Sequence, residues 1–212
     1  MQNNIEKEFF YKSISKFTSD IEVAADKLIN FCEYIKKANK LHNLTSITKT
    51  KDMLTKHILD SLSIKHLLEG NKILDIGSGA GFPGIPLAIL SPESHFLLLD
   101  SNNKKIIFLN HVKINLNIRN VDLVHERIEN FDDKRSFDSI VCRSFSTLST
   151  IFKNSENHLK KEGIIIAMKG KYPDKELSEL DKNINYKVEK LIVPGLSAER
   201  HAVIMSKNRN ED

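Results

Sequence analysis

The stretch "DIGSGAGFPGIPL" (75–87) sets four glycines and two prolines among thirteen positions. Its spacing, Gly77-x-Gly79-x-Gly81-x-x-Gly84, nearly satisfies the dinucleotide-binding fingerprint, in which glycines let backbone N–H groups close on a ligand. No Lys-Ser or Lys-Thr follows, so the turn is not the phosphate cradle of a P-loop. Asp75 ends the apolar run before the glycines, where a carboxylate repels a pyrophosphate and tolerates an ammonium or a sulfonium. Asp100 closes the next apolar run, about 20 residues on, the place from which an acid accepts both ribose hydroxyls of a nucleoside. Beyond the third run, "ERIENF" (126–131) offers an acidic and an apolar residue to the amine and the face of an adenine. S-adenosylmethionine, a nucleoside with a cation and no phosphate, fits these features better than NAD. The plain alternative is a glycine turn that packs a helix tightly, with the strand-end acids as caps.

For these residues to converge, the turn must join a strand to a helix at the carboxyl edge of a sheet. The pattern supplies that setting. From Lys72 onward, short β-branched runs alternate with helical stretches: "KILDIG", "HFLLLD", "VDLV", "DSIVCR", "GIIIAMK", "VEKLIVP" and "RHAVIMS" read as strands. Helices are expected over 85–90, 104–116, 148–159 and 174–183. Such alternation predicts a doubly wound, mostly parallel seven-stranded sheet. The last two strands, joined by "GLSAE" and no helix, predict an antiparallel C-terminal edge hairpin. That hairpin favours the class I (Rossmann-like) S-adenosylmethionine-dependent methyltransferase fold over a plain dinucleotide fold. The first seventy residues read as helical, with an amphipathic helix over 20–38 capped by Asp20 and another over 51–68 stopping at Gly70. The expected organisation is an N-terminal helical extension packed on the core (1–70), a methyltransferase domain (71–207) and a polar tail (208–212).

Composition narrows the class. The 212 residues are 40% apolar and 28% charged with a net charge of +4, ordinary for one globular domain that permits a polyanionic partner without demanding it. No apolar run approaches the ~18 residues of a membrane span, and the N-terminus lacks the apolar core of a signal peptide. Cys32 and Cys142 lie too far apart in sequence for a disulfide framework or a clustered metal site, so a reduced, cytoplasmic protein with no metal is expected. His57 and Asp60, one helical turn apart, read as a surface pair on one helix that faces the cofactor cleft, structural because two ligands without a third make no metal site.

Blocks spread along most of the chain resemble the ribosomal RNA small subunit methyltransferase G family. They are "NLTSI" (43–47), "HILDSL" (57–62), "DIGSGAGFPGIPL", "LLLDSNNKK" (97–105), "VCRSFSTL" (141–148), "MKGK" (168–171) and "VPGLSAERHAVI" (193–204). The continuation "GFPGIPLAIL" is distinctive, because most methyltransferases do not follow their first motif with Pro-Gly-Ile-Pro. Ser78-Gly79-Ala80 stands where many relatives have Thr-Gly-Pro, a mild departure. The resemblance implies methylation of a guanine N7 in a 16S rRNA loop near the decoding centre. It implies that Gly77 and Phe82 touch the methyl donor, that Ile128 and Glu129 flank its adenine, and that Arg143 lies near the methyl-donor end. Gly79 and Asp100 are added from the motif logic.

Acceptor chemistry agrees with that implication. Guanine N7 carries an in-plane lone pair and loses no proton on attack, so no catalytic base is required, and none stands out. Cys142 sits in the apolar run "SIVC" without the Pro-Cys or Thr-Cys setting of pyrimidine-carbon enzymes, and reads as structural. "CRSF" replaces the Asn-Pro-Pro-aromatic motif expected of amine methylation. Arg143 is either a reader of guanine O6 or the partner of a strand-end acid. Arg143, Lys169 and Arg200, with Lys171 and His201 beside them, are the candidates for holding RNA. Two other readings stand: a methyltransferase for a small molecule or a protein, and a non-catalytic ribosome-assembly factor that keeps the fold. The expected partner is 16S rRNA, free or in the small subunit, met by a monomer.

Overall fold

A computed structural model describes residues 2–132 and 136–208; residues 209–212 of the expected polar tail lie outside them. Two helices, α1 (Gln2–Ile14) and α2 (Ile21–His42), precede an interrupted helical stretch. In that stretch α3 (Thr50–Met53) and α4 (Asp60–Leu62) are joined by a π-helical segment, Leu54–Leu59. The uninterrupted helix expected over 51–68 is therefore corrected. Leu54, Ile58 and Leu62 are spaced by four, which fits an α-helix as well as a short π-helical segment, so apolar spacing does not reveal it.

Alternation of strands and helices follows as expected: β1 (Lys72–Ile76), α5 (Gly84–Ile89), β2 (His95–Asp100), α6 (Asn103–Asn115), β3 (Val121–His125), β4 (Phe137–Arg143), α7 (Leu148–Ser155), β5 (Leu159–Lys169), α8 (Asp174–Ser178), β6 (Ile184–Lys190) and β7 (His201–Lys207). They form one sheet in the order β3-β2-β1-β4-β5-β7-β6. The pairs from β3 through β5 are parallel, and β7 runs antiparallel to both β5 and β6. The edge hairpin is thus present, with its second strand on the inside.

Two boundaries move. The expected strand "VEKLIVP" is displaced N-terminally, to Ile184–Lys190. That edge strand is largely exposed and carries little apolar signal, whereas Leu191 and Val193, just beyond it, are buried under the following loop. Of the helix expected over 174–183, only Asp174–Ser178 forms.

Strand side chains alternate between two cores. Ile73, Phe96, Leu98, Val141 and Ile166 pack with Leu28, Phe31, Ile35, Ile58, Leu62, Ile85 and Leu109, so the N-terminal helices, α5 and α6 share one face. Leu74, Ile76, Leu97, Ile140, Ile165 and Val203 pack with Leu148, Ile151 and Leu177 on the other. Chain order reverses direction across the sheet between β1 and β4. At such a switch point the carboxyl ends of the strands leave a crevice.

Candidate functional site

The glycine turn fills that crevice. Gly77 follows β1 with φ +67° and lies against Phe145: a Cβ there would stand 2.5 Å from the Phe145 ring. Gly81, at φ +99°, is pressed instead between Leu109 and Phe31, so the turn packs helices and frames a cavity at once. Pro83 takes the N-cap position, and α5 begins at Gly84.

Asp75 and Asp100 divide two tasks. Asp75 is fully buried, and its Oδ2 accepts the Gly84 N–H at 2.9 Å. Its Oδ1 has no hydrogen-bond partner among the described residues, and burial pushes the carboxyl up to about 7. This corrects the expectation that Asp75 presents a charge to a ligand: it is a buried tie to the start of α5. Asp100 is the acid at the crevice. One oxygen accepts the Gly79 N–H and the other the Asn102 N–H, each at 2.8 Å, and Lys105 Nζ lies 3.6 Å away. Each oxygen keeps a further lone pair for a ligand hydroxyl. Lys105 thus leans onto this carboxylate from the first turns of α6.

Two cavities open side by side. The smaller, about 240 Å³, is lined by Gly77, Asp100, Glu126, Ile128, Glu129 and Phe145 among others. Ile128 is buried and Glu129 exposed, with Glu129 Oε1 accepting from Asn154 at 3.1 Å. The larger, about 500 Å³, takes Gly77, Gly79, Phe82, Arg143, Lys169 and Arg200 from the core, and Leu44, Thr45, Ile47, Lys56, His57 and Asp60 from the N-terminal region. Gly77, Lys105 and Ser144 belong to both. Of the cofactor candidates, Asp100, Ile128 and Glu129 line the smaller cavity, Gly79, Phe82 and Arg143 the larger, and Gly77 both; of the RNA candidates, Arg143, Lys169 and Arg200 line the larger. Lys171 and His201 line neither. His201 is buried, with Nδ1 2.9 Å from the Gly170 carbonyl, so its ring is packed and not presented to a partner.

The wall of the larger cavity is a stack of planar groups. His57 lies on the Phe82 ring at 4.6 Å between centroids, and the Arg143 guanidinium lies 4.9 Å from that ring's centroid. Burial, with the Arg143 charge beside it, pushes the His57 pKa down to about 4, so the ring is neutral at pH 7. An arginine only donates. His57 Nδ1 lies 3.3 Å from Arg143 Nη2 and 3.2 Å from the Lys56 carbonyl, a donor and an acceptor of which one tautomer serves only one, and Nε2 lies 2.9 Å from Thr45 Oγ1. Arg143 Nη1 also donates to Asp60 Oδ2 at 3.2 Å, and Arg200 Nε donates to Asp60 Oδ1 at 2.8 Å. Asp60 is only 2% exposed. His57 and Asp60 face the cleft as expected, but the surface pair is corrected: each turns inward to Arg143, where the π-helical segment and α4 meet the sheet. Lys169 is engaged as well, donating to Glu176 at 2.7 Å and to the Ser146 carbonyl at 3.0 Å. Cys142 is packed in the second core, its thiol pushed up to about 12 by burial, in keeping with a structural residue.

Sequence reasoning missed Phe145, Ser144 and the loop residues Leu44, Thr45 and Ile47. Phe145 and Ser144 follow Arg143 at a strand's carboxyl end, a position that signals proximity to the crevice. The loop carries no such signal, because only tertiary packing brings it there. Ser144 itself is left-handed, at φ +53°, which turns the chain between the two cavities.

A mostly parallel sheet with its glycine turn at the switch point, an acid ending the second strand and an antiparallel seventh strand defines the Rossmann-like methyltransferase fold. An rRNA methylase from Streptococcus thermophilus shares it at a TM-score of 0.52 and 15% identity, over 71% of this chain and 95% of that one. Sequence narrows the class. Residues 24–204 match the family model described as rRNA small subunit methyltransferase G (GidB). The curated ribosomal RNA small subunit methyltransferase G of Legionella pneumophila (strain Corby) is 42% identical over 191 residues, 90% of this chain and 91% of that protein. Its counterpart from Nitrosococcus oceani is 40% identical over 212 residues, all of this chain and 97% of that protein. The chain belongs to the rRNA small subunit methyltransferase G family.

Proposed function

We propose that the protein transfers a methyl group from S-adenosylmethionine to N7 of guanine 527 in 16S rRNA. The observation that carries this reading is the pair of adjoining cavities, one lined by acids at the strand ends and one by cationic and planar groups, meeting at Gly77, Lys105 and Ser144. S-adenosylmethionine supplies an electrophilic methyl on a sulfonium. The smaller cavity suits its nucleoside: Asp100 accepts from hydroxyls, Glu129 from an amine, and Ile128 and Phe145 give apolar faces. Three acids in that lining disfavour a pyrophosphate.

Across the shared wall, the larger cavity suits a purine and its phosphates. Arg143 and Arg200 donate to acceptors, as arginine does toward guanine O6 and N7 or a phosphate. Lys169 adds a third cation on the RNA side, and Phe82 and His57 give a flat wall. N7 loses no proton on attack, so orientation of donor and acceptor is the main task of these residues. No described helix is long and apolar enough to cross a membrane.

The test is incubation with tritiated S-adenosylmethionine and either small ribosomal subunits or deproteinised 16S rRNA. Label is then mapped by borohydride–aniline cleavage, which cuts at N7-methylguanosine. The expected result is one labelled guanine. Label in protein alone, or in no RNA, overturns the reading.

A further inference from the structure

The cations around the larger cavity are unevenly balanced. Each lysine of the lining has an acid of its own: Lys56 lies 3.1 Å from Asp52, Lys105 3.6 Å from Asp100 and Lys169 2.7 Å from Glu176. The two arginines share one carboxylate, with Arg143 on Asp60 Oδ2 and Arg200 on Asp60 Oδ1. The three groups come from α4, the end of β4 and the residue just before β7, so nothing local in the chain brings them together. Their side chains are 17%, 23% and 3% exposed for Arg143, Arg200 and Asp60.

A triad of this kind, one charge short of neutral and mostly withdrawn from water, is a poor device for stability, since desolvation consumes much of what its Coulomb attraction returns. Its geometry is well suited to holding two forked donors at a fixed separation.

We propose that Asp60 is a positioning residue: it holds Arg143 and Arg200 as a pair that a phosphodiester of the RNA substrate completes. One carboxylate oxygen is committed to each guanidinium, and the missing negative charge is the one the substrate brings. Arg143 is fixed further by the Lys56 carbonyl at 3.3 Å and by His57. Asp60 therefore ties the N-terminal region to two strands of the core at the point where the acceptor enters. The inference rests on the rRNA methyltransferase reading above.

Asp60→Asn keeps the shape of the side chain and removes its charge, so the two arginines repel one another and lose their common anchor. Misplacement by about 1 Å costs on the order of 10²-fold in rate, and that is the fall expected in kcat for methyl transfer to small subunits. The half-saturating RNA concentration is expected to stay level or to drop, because the cavity has become more cationic. The kcat is read at saturating donor, and donor affinity is read in parallel by calorimetry, because Phe82 and Arg143 line the same cavity as Asp60. A fall in donor affinity that accounts for the loss of turnover assigns the arginine pair to the methionine end of the donor and overturns the proposal. A structural role alone would lower the folded fraction while turnover per folded molecule held. A purely electrostatic role would tighten RNA binding with kcat intact.

Either of those outcomes overturns the proposal, as does any kcat within roughly threefold of wild type. If Asp60→Asn fails to fold, Asp60→Glu carries the test. It retains the charge and shifts the carboxylate by one methylene, and the same fall in kcat per folded molecule is expected. A wild-type protein that labels no RNA would instead overturn the functional reading itself.

Discussion

Asp75, the residue before the last of β1, and Asp100, the last of β2, lie on neighbouring parallel strands and meet opposite surroundings. The Asp100 oxygens, tied to Gly79 and Asn102, still border the smaller cavity. A charged hydrogen bond contributes roughly 1.5–3 kcal/mol, so Asp100→Ala should weaken S-adenosylmethionine binding about 10- to 150-fold by calorimetry. Unchanged affinity would remove Asp100 from the donor seat. Asp75 is held at about 7 by burial, so between its ordinary value near 4 and pH 7 the folded state binds a proton that the unfolded state has released. Stability from this group therefore falls as pH rises through that window and levels off above 7, with about 1.4 kcal/mol per pH unit as the upper bound. Asp75→Asn keeps the acceptor for the Gly84 N–H and removes the titration. Its stability relative to wild type in denaturant melts should climb from pH 5 to 7 and then flatten; a constant difference would mean that Asp75 titrates at its ordinary value. The two acids share one sequence signature, an apolar run closed by aspartate. Only depth separates them, and depth belongs to the packing of α5 over Asp75.

At the scale of elements, the glycine turn is tightest where Gly77 meets Phe145. Gly77→Ala must carry a Cβ at φ +67° and displace the ring, which lines the donor cavity. An L-residue there costs roughly 1–2 kcal/mol from the backbone alone. A fall in both Tm and donor affinity is expected, and adding Phe145→Ala should return the part of the Tm loss due to the ring. If the second change returns nothing, the contact is not what limits position 77. The strands, the turn and the β6–β7 hairpin were legible because each has a local signature: β-branched runs, dense glycine, a connection too short for a helix. The interruption of the helical stretch over 54–59 was not legible, nor was the inward turn of His57 and Asp60. A six-residue π-helical segment is too short to be told from an α-helix by its apolar spacing, and ion pairs 83 and 140 residues apart in sequence leave no trace in periodicity. Arg143 shows the limit well. Its position after the fourth strand placed it at the crevice, but the acid it pairs with comes from the N-terminal region and not from a strand end.

For the molecule as a whole, the helices before β1 are part of the structure's main core. Phe31 lies 5.2 Å from Phe82 between ring centroids, and Leu28, Ile35, Ile58 and Leu62 pack in one cluster with Ile73 and Ile85. Removing residues 1–49 would bare that face of the sheet, at a cost of roughly 25 cal/mol for each Å² of apolar surface returned to water. Such a truncation should be recovered mainly as aggregate, or as a species that binds a hydrophobic dye. A soluble, cooperatively melting product would show instead that the sheet stands alone.

The two cavities also differ in ancestry along the chain. Every residue lining the smaller one falls between positions 76 and 145, whereas the larger one recruits six from 44 to 60. Under the function proposed above, the nucleoside of the donor is recognised by the sheet's own loops, and the acceptor partly by a segment that precedes the sheet altogether. Exchanging that segment for one of matched apolar face, instead of deleting it, would re-address the same methylating engine to a different nucleic acid.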